Sequence, residues 1–296
     1  MKDVGFYSSY YIANCVFNAW AAYTASMLNC VTIHAIRKTS SLPRPLKTLL
    51  LSLAVSDLGV GLLVQPLYIA LLVMELKPNA AEINPVYRAT FTVAFLIPAN
   101  LLVFVSLFGV MALSVDRFLA IHLHLRYQEL VTHKRVVAAV ISIWVLGAIL
   151  SLVRLWTPVN ITYVIFAIIC TGCIIGAAFL NYRTFKVVRR HAHHLQDLQV
   201  QQVAQNMEIV NDRRLTKSAV TTIYLYLLFL FCYLPNTCIL WIITIRSEPL
   251  SSVIQRTTMT LMFLNSALNS LIYSWKLRDI RRAAMNILQN VFSSHN

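Results

Sequence analysis

Phe91–Ile121 reads FTVAFLIPANLLVFVSLFGVMALSVDRFLAI. Positions 91–115 carry no charged residue, and then Asp116 and Arg117 stand side by side. About 20 residues of helix cross the hydrocarbon core of a bilayer, so this run is long enough to span it. The Asp–Arg pair falls where the chain leaves the apolar layer for polar headgroups. Opposite charges on neighbouring residues partly neutralise each other there. An Arg held by so local a partner is also releasable, and its rigid donor fork suits the backbone carbonyls of a segment that docks.

The rest of the chain has the same character. Hydrophobic residues make up 58 % of the 296 and charged residues 12 %, against about 25 % charged in soluble domains. Apolar blocks long enough to span lie at 9–36, 46–74, 87–120, 134–157, 161–189, 214–245 and 252–275. Inside lipid every backbone polar group must be paired, which leaves helices or closed barrels. Barrel strands would be about ten residues long with alternating polarity. These blocks are longer and apolar almost all round. We therefore expect an all-α membrane protein, with residues 1–296 forming a single seven-transmembrane helix bundle.

A net charge of +14 invites a nucleic-acid reading, but its distribution argues against one. With the N-terminus outside, 19 of the 25 Lys and Arg residues fall in the inner loops and tail. Positive-inside bias sets orientation, so the expectation is a multi-pass plasma-membrane protein with an extracellular N-terminus and a cytoplasmic C-terminus. The first apolar block is too long for a signal-peptide core and is expected to be retained. After the last block, WKLRDIRRAAMNILQNVF places Leu277, Ile280, Ala284, Ile287, Leu288 and Val291 on one helical face. Lys276, Arg278, Arg281 and Arg282 lie on the other face, the pattern of an amphipathic surface helix over about 277–290.

All six cysteines fall inside apolar blocks, so no disulfide is expected. Asn160-Ile161-Thr162 is a glycosylation sequon. His191, His193 and His194 are read as solvated rather than metal-binding. The longest inner loop, from about 190 to 213, keeps apolar residues at helical spacing and reads as a continuation of the fifth helix.

Polar residues at membrane depth need a reason. A charge at a helix centre costs about 2.5–3.5 kcal/mol on the insertion scale, and Asp57 sits mid-block in LSLAVSDLGVGL, Leu51–Leu62. Asn29, Ser106, Asn265, Ser266 and Asn269 are its candidate companions. Asn265 and Asn269, four apart, share one helix face. A carboxylate ringed by amide and hydroxyl oxygens suits a small hard cation. Pro66, Pro98 and Pro235 lie inside blocks, where each removes a helix hydrogen bond and permits a kink.

The motifs now stand in order on successive blocks. They are Asn29, Asp57 in LSLAVSDL, SVDRFLAI with Phe118 in place of Tyr, Trp144 and Tyr182. FCYLP follows with Tyr233 in place of Trp, then NSLIY with Ser270 in place of Pro. The chain resembles the rhodopsin-like (class A) G-protein-coupled receptors over essentially its whole length. The resemblance implies a switch of Asp116, Arg117, Tyr182 and Tyr273 that meets a heterotrimeric G protein. It implies a Na⁺ site of Asp57, Ser106, Asn265 and Asn269, and no other cofactor. Tyr233 and Pro235 would form a toggle above the packing trio Ile174, Leu107 and Phe229. Ala99, Asn100, Val103, Phe104, Asn236, Leu240, Met259 and Phe263 would line the ligand pocket. The acidic partner of Arg117 that many members carry on the sixth helix is replaced by Leu215, which implies a weak resting lock and appreciable basal activity.

Departures from the family narrow the ligand. Thr92 stands where most members carry the extracellular cysteine, and Ile174 where most carry proline. Melanocortin receptors resemble this chain in both, and in a very short second outer loop, but their acidic ligand residues are matched by Leu67, Thr92 and Leu96. Ala99 replaces the amine-binding Asp, Phe263 the retinal-binding Lys, and Leu240 the Asn of adenosine receptors. Biogenic amines and retinal are thereby disfavoured. An apolar small molecule, a lipid or a peptide remains as the unknown extracellular ligand. A receptor that signals constitutively or not at all is the alternative, since three motif residues are altered. A transporter would show repeats or an ionisable relay, and neither is visible in the sequence. No enzymatic activity is expected.

Overall fold

The computed structural model describes residues 2–39, 42–76, 84–123, 126–198, 206–246, 251–276, 281, 282 and 285, with side-chain surroundings defined for most of them. Among the described residues seven long helices follow one another. They are α1 (Lys2–Lys38), α2 (Arg44–Leu76), α3 (Pro85–Leu123), α4 (His133–Trp156), α5 (Val159–Leu198), α6 (Asn206–Arg246) and α7 (Ser252–Lys276). A four-residue helical turn, Tyr127–Leu130, bridges α3 and α4.

Local chemistry fixes the joints. The Lys47 ammonium donates to the carbonyls of Arg37 and Thr39, both at 2.9 Å, closing the end of α1. Pro45 sits in the first turn of α2, where a missing N–H costs nothing. Thr132 caps α4 by accepting from the Arg135 amide. Only Thr157 and Pro158 separate α4 from α5. Within α2, Val60–Val64 winds as a π-helix. There Gly61 faces α1 so closely that a Cβ would lie 2.6 Å from Ser26 Oγ and 3.0 Å from the Ala22 carbonyl oxygen. Only glycine allows that approach.

The third helix is the hub, packed against α2, α4, α5 and α6, while α7 closes the bundle between α1 and α6. Successive helices alternate in direction, so the bundle has two ends. One holds the N-terminal half of α1 and the start of α7; we call it the N-terminal face. The other holds Asp116–Arg117. A core around Leu50, Leu107, Phe229 and Tyr273 fills the Arg117 half. A second core around Val64, Tyr68, Phe95 and Phe263 fills the N-terminal half. Outward, Ile141, Ile149, Ile175, Phe179 and Phe231 are exposed on α4, α5 and α6. An apolar outer belt is what a helix bundle presents to lipid.

Five helices meet a length-and-hydropathy criterion for a span: Arg44–Leu76, Pro85–Leu123, His133–Trp156, Val159–Arg190 and Ser218–Arg246. α1 and α7 fall below it because they carry amides and hydroxyls that they use on each other. Tyr10 donates to the Val253 carbonyl at 3.0 Å, and Thr260 donates to Asn14 Oδ1 at 2.9 Å. Asn18 donates to Thr260 Oγ1 at 3.1 Å, and Asn29 to the Ser266 carbonyl at 3.0 Å. Ser270 returns a bond to Asn29 Oδ1 at 2.6 Å. The expected spans are therefore present as helices, most with longer ends. The loop from about 190 is helical as far as Leu198. Most of the amphipathic segment 277–290, and the side chains of His191, His193, His194 and Leu215, lie outside the described residues.

Candidate functional site

The first polar centre is the end of α3. Asp116 and Arg117 are 4 % and 2 % exposed. Arg117 Nε donates to Asp116 Oδ2 at 2.9 Å, and Arg117 Nη2 makes a second, short ion-paired contact with the same oxygen. The other oxygen, Asp116 Oδ1, accepts from the Tyr127 hydroxyl at 2.7 Å. Burial, and next the adjacent Asp116 carboxylate, push the Tyr127 pKa up, so it stays a donor. Arg117 Nη1 donates across the bundle to Ser218 Oγ on α6 at 3.0 Å. The α3–α6 tie that the sequence left without an acidic partner is thus a hydrogen bond from the Arg117 guanidinium to the uncharged Ser218 hydroxyl. Ser218 lies one helix away and belongs to no motif, so no local signal identified it.

Two other switch candidates are placed differently. Tyr273 is fully buried, and its hydroxyl has no hydrogen-bond partner. Tyr182 is 65 % exposed and is not brought to the charge pair. Its neighbour Asn181 faces inward instead, donating to Ser114 Oγ at 2.8 Å. At 100° per residue, adjacent helical positions cannot share a face.

The second centre lies midway along α2. Asp57, Ser106, Asn265 and Asn269 are all buried. Asn269 donates to Asp57 Oδ2 at 3.0 Å. Ser106 Oγ is 3.3 Å from Ser56 Oγ. Asp57 Oδ1 and both ends of the Asn265 amide have no hydrogen-bond partner. Orphaned buried polar atoms are costly, and here three of them belong to the set expected to hold a cation. The oxygens fit a hard monovalent cation in kind. Tyr233, 4 % exposed, stacks on Phe229 with ring centroids 4.0 Å apart and lies near Ser106. Leu107, Ile174 and Phe229 belong to one buried cluster with it, and Pro235 sits inside α6 two residues further along.

Several residues expected to line a ligand pocket are packed in the core. Phe104 is buried edge-on against Phe166 with centroids 4.8 Å apart. Phe263 is buried edge-on against Tyr68 at 5.2 Å, and Ala99 lies in the same core. Asn100, Val103 and Leu240 are half-buried, and Asn236 Oδ1 accepts from Thr258 at 3.5 Å. A cavity of about 270 Å³ opens nearer the N-terminal face. Its walls come from Glu75 and Leu71 of α2, Arg88 and Phe95 of α3, and Arg256 and Met259 of α7. Met259 is the one expected pocket residue among its lining. Asn160 is exposed in the first turn of α5, but Thr162 of its sequon is 2 % exposed, its hydroxyl 2.8 Å from Thr157 Oγ1. The six cysteines are unpaired thiols.

The chain matches the family model "7 transmembrane receptor (rhodopsin family)" over residues 28–161, which covers most of α1 through α4. Two similar proteins extend the likeness to the remaining helices. The adenosine receptor A2b of Gallus gallus is 24 % identical, over 89 % of this chain and 84 % of its own length. The histamine H2 receptor of Rattus norvegicus is 25 % identical, over 90 % of this chain and 76 % of its own. With seven helices in order among the described residues, a buried carboxylate in α2 and a buried Asp–Arg pair closing α3, the chain resembles the rhodopsin-like G-protein-coupled receptors in fold and in matched sequence.

Proposed function

We propose that this receptor converts an extracellular ligand, bound toward the N-terminal face, into activation of a heterotrimeric G protein at the Arg117 face. The orientation follows from the Lys and Arg distribution, which puts the N-terminus outside and the C-terminus in the cytoplasm. The observation that carries the proposal is the state of Arg117. Its guanidinium is sequestered by Asp116 on its own helix and by Ser218 on α6. An outward movement of α6 removes Ser218, and the freed donors then cap carbonyls of a docked G-protein segment. Pro235 inside α6 leaves one backbone carbonyl without its helical donor, a place for such a movement to bend.

Asp57, Ser106, Asn265 and Asn269 would hold Na⁺, supplying a carboxylate and neutral oxygens to a cation that neutralises a charge at membrane depth. A cation bound only in the resting arrangement shifts the population toward rest by its differential affinity. The relatives' names mention an adenosine and a histamine receptor, and neither ligand is carried over: Leu240 and Ala99 stand where their recognition residues are expected.

The test is guanine-nucleotide exchange by added G proteins in membranes bearing the chain. Basal exchange above control membranes, abolished by Arg117→Ala at equal surface expression, supports the proposal. No exchange with any G-protein class, basal or in the presence of small organic ligands, overturns it.

A further inference from the structure

We infer that the cavity between α2, α3 and α7 is a binding site for a small organic acid, a short apolar body with one anionic group. This rests on the receptor reading above and names the chemistry of its ligand.

The argument begins with charge. The cavity lining contains two cations, Arg88 and Arg256, and one anion, Glu75. Arg256 is ion-paired with Glu75 across the gap between α7 and α2. It is also held from below: the Tyr68 ring lies 5.9 Å from its guanidinium carbon, and the Tyr68 hydroxyl donates to its carbonyl at 2.9 Å. Among the described residues Arg88 has no ion-pair partner. It is exposed, one turn before Thr92 on the same face of α3. Among the described residues the lining therefore keeps an excess positive charge. An amine would be repelled, and the one carboxylate available to it is already occupied. A neutral ligand would leave the Arg88 donors unused.

Next comes shape. Beneath the arginines the walls are Leu71, Met74, Phe95, Leu96 and Met259. These apolar walls suit a short hydrocarbon body. A volume of about 270 Å³ is at the small end of ligand pockets. A folded peptide does not fit, nor does a lipid headgroup with two acyl chains. A carboxylate carrying a short alkyl or aryl body does.

Glu75 is then a built-in competitor. One of its oxygens, Oε2, is buried without a hydrogen-bond partner, so its hold on the site is incomplete. A ligand carboxylate seated between Arg88 and Arg256 would take over the role of Glu75 toward Arg256 and loosen the α2–α7 tie. α7 continues from Arg256 to Asn265 and Asn269, the amides beside Asp57. Occupancy of the cavity is thereby connected to the cation centre.

The probe is octanoate, with 1-octanol and octylamine as matched neutral and cationic controls. Purified protein is placed in phosphatidylcholine nanodiscs, and its unfolding temperature is followed against probe concentration. Octanoate is expected to stabilise in a saturable manner where the two controls at equal concentration do not, and hexadecanoate is expected to bind more weakly than octanoate. Arg88→Ala should weaken octanoate about tenfold, and Glu75→Gln should tighten it severalfold by removing the competing carboxylate. Equal stabilisation by octanol, no change in Arg88→Ala, or weaker binding in Glu75→Gln would each overturn the inference. The readout contains no G protein. Nucleotide exchange without octanoate binding therefore sinks this inference alone. Octanoate binding with no exchange under any condition keeps the site and sinks the receptor mechanism.

Discussion

Asp116 has a protein donor on each oxygen, whereas Asp57 has one on Oδ2 and none on Oδ1. Both are buried carboxylates of the same bundle. At the end of α3 both oxygens are engaged, Oδ2 by Arg117 and Oδ1 by Tyr127, so the carboxylate acts as a clasp for the Arg. In the middle of α2 the coordination is incomplete. Asn265 stands nearby with both ends of its amide unused. A saturated buried charge holds a conformation, while an unsaturated one responds to what enters from solvent. The two centres thus suit opposite tasks, and mutations should separate them.

The largest effect is expected at Arg117. Arg117→Ala should reduce nucleotide exchange to the level of control membranes while leaving octanoate-induced stabilisation in place. Loss of both together would mean that the two ends of the bundle do not act separately. Next, basal exchange in sodium should be lower than in an equal concentration of N-methyl-glucammonium, by about fivefold or more if the coupling is of ordinary allosteric size. Asp57→Asn should erase that difference. A sodium effect that survives the substitution would place the cation elsewhere. A smaller change is expected from Ser218→Ala. It removes one hydrogen bond donated by the charged Arg117 while both contacts to Asp116 stay, and basal exchange should rise by less than the sodium effect. Unchanged exchange would show that Ser218 does not restrain α6. Smallest is Asn29→Ala, which deletes the α1–α7 bonds to Ser266 and Ser270. Interhelical bonds of this kind average about 0.6 kcal/mol, so the unfolding temperature should fall by a few degrees with the sodium response retained.

What could be read from the residues depended on how local the cause was. Seven helices were legible because twenty consecutive apolar residues have few other uses. Asp57 and the Asp116–Arg117 pair were legible because charge in an apolar run needs an explanation. Asn14 and Asn18 were equally available, four apart on the first block, by the reasoning applied to Asn265 and Asn269. Ser218 was not, since its role depends on the separation of α3 from α6. The surroundings of the expected pocket positions were not legible for a similar reason. Phe104 packs on Phe166, while Tyr68, Phe95 and Phe263 pack on one another. Contacts between rings of different helices are written nowhere along the chain. Tyr182 is exposed, while Asn181, one residue away in helical phase, holds the inward position.

The π-helical turn at Val60–Val64 has an evolutionary consequence. It inserts extra winding between Asp57 and the stretch that bears Leu71 and Glu75, so the two halves of α2 are phased independently. A single-residue deletion within this turn that restored ordinary α-helical winding would swing the far half by about 100°. Glu75 would leave Arg256, while Asp57 and Asn269 stayed where they are. Lineages descended from such a chain thus have a one-codon route to a new ligand preference that leaves the ion-responsive machinery untouched.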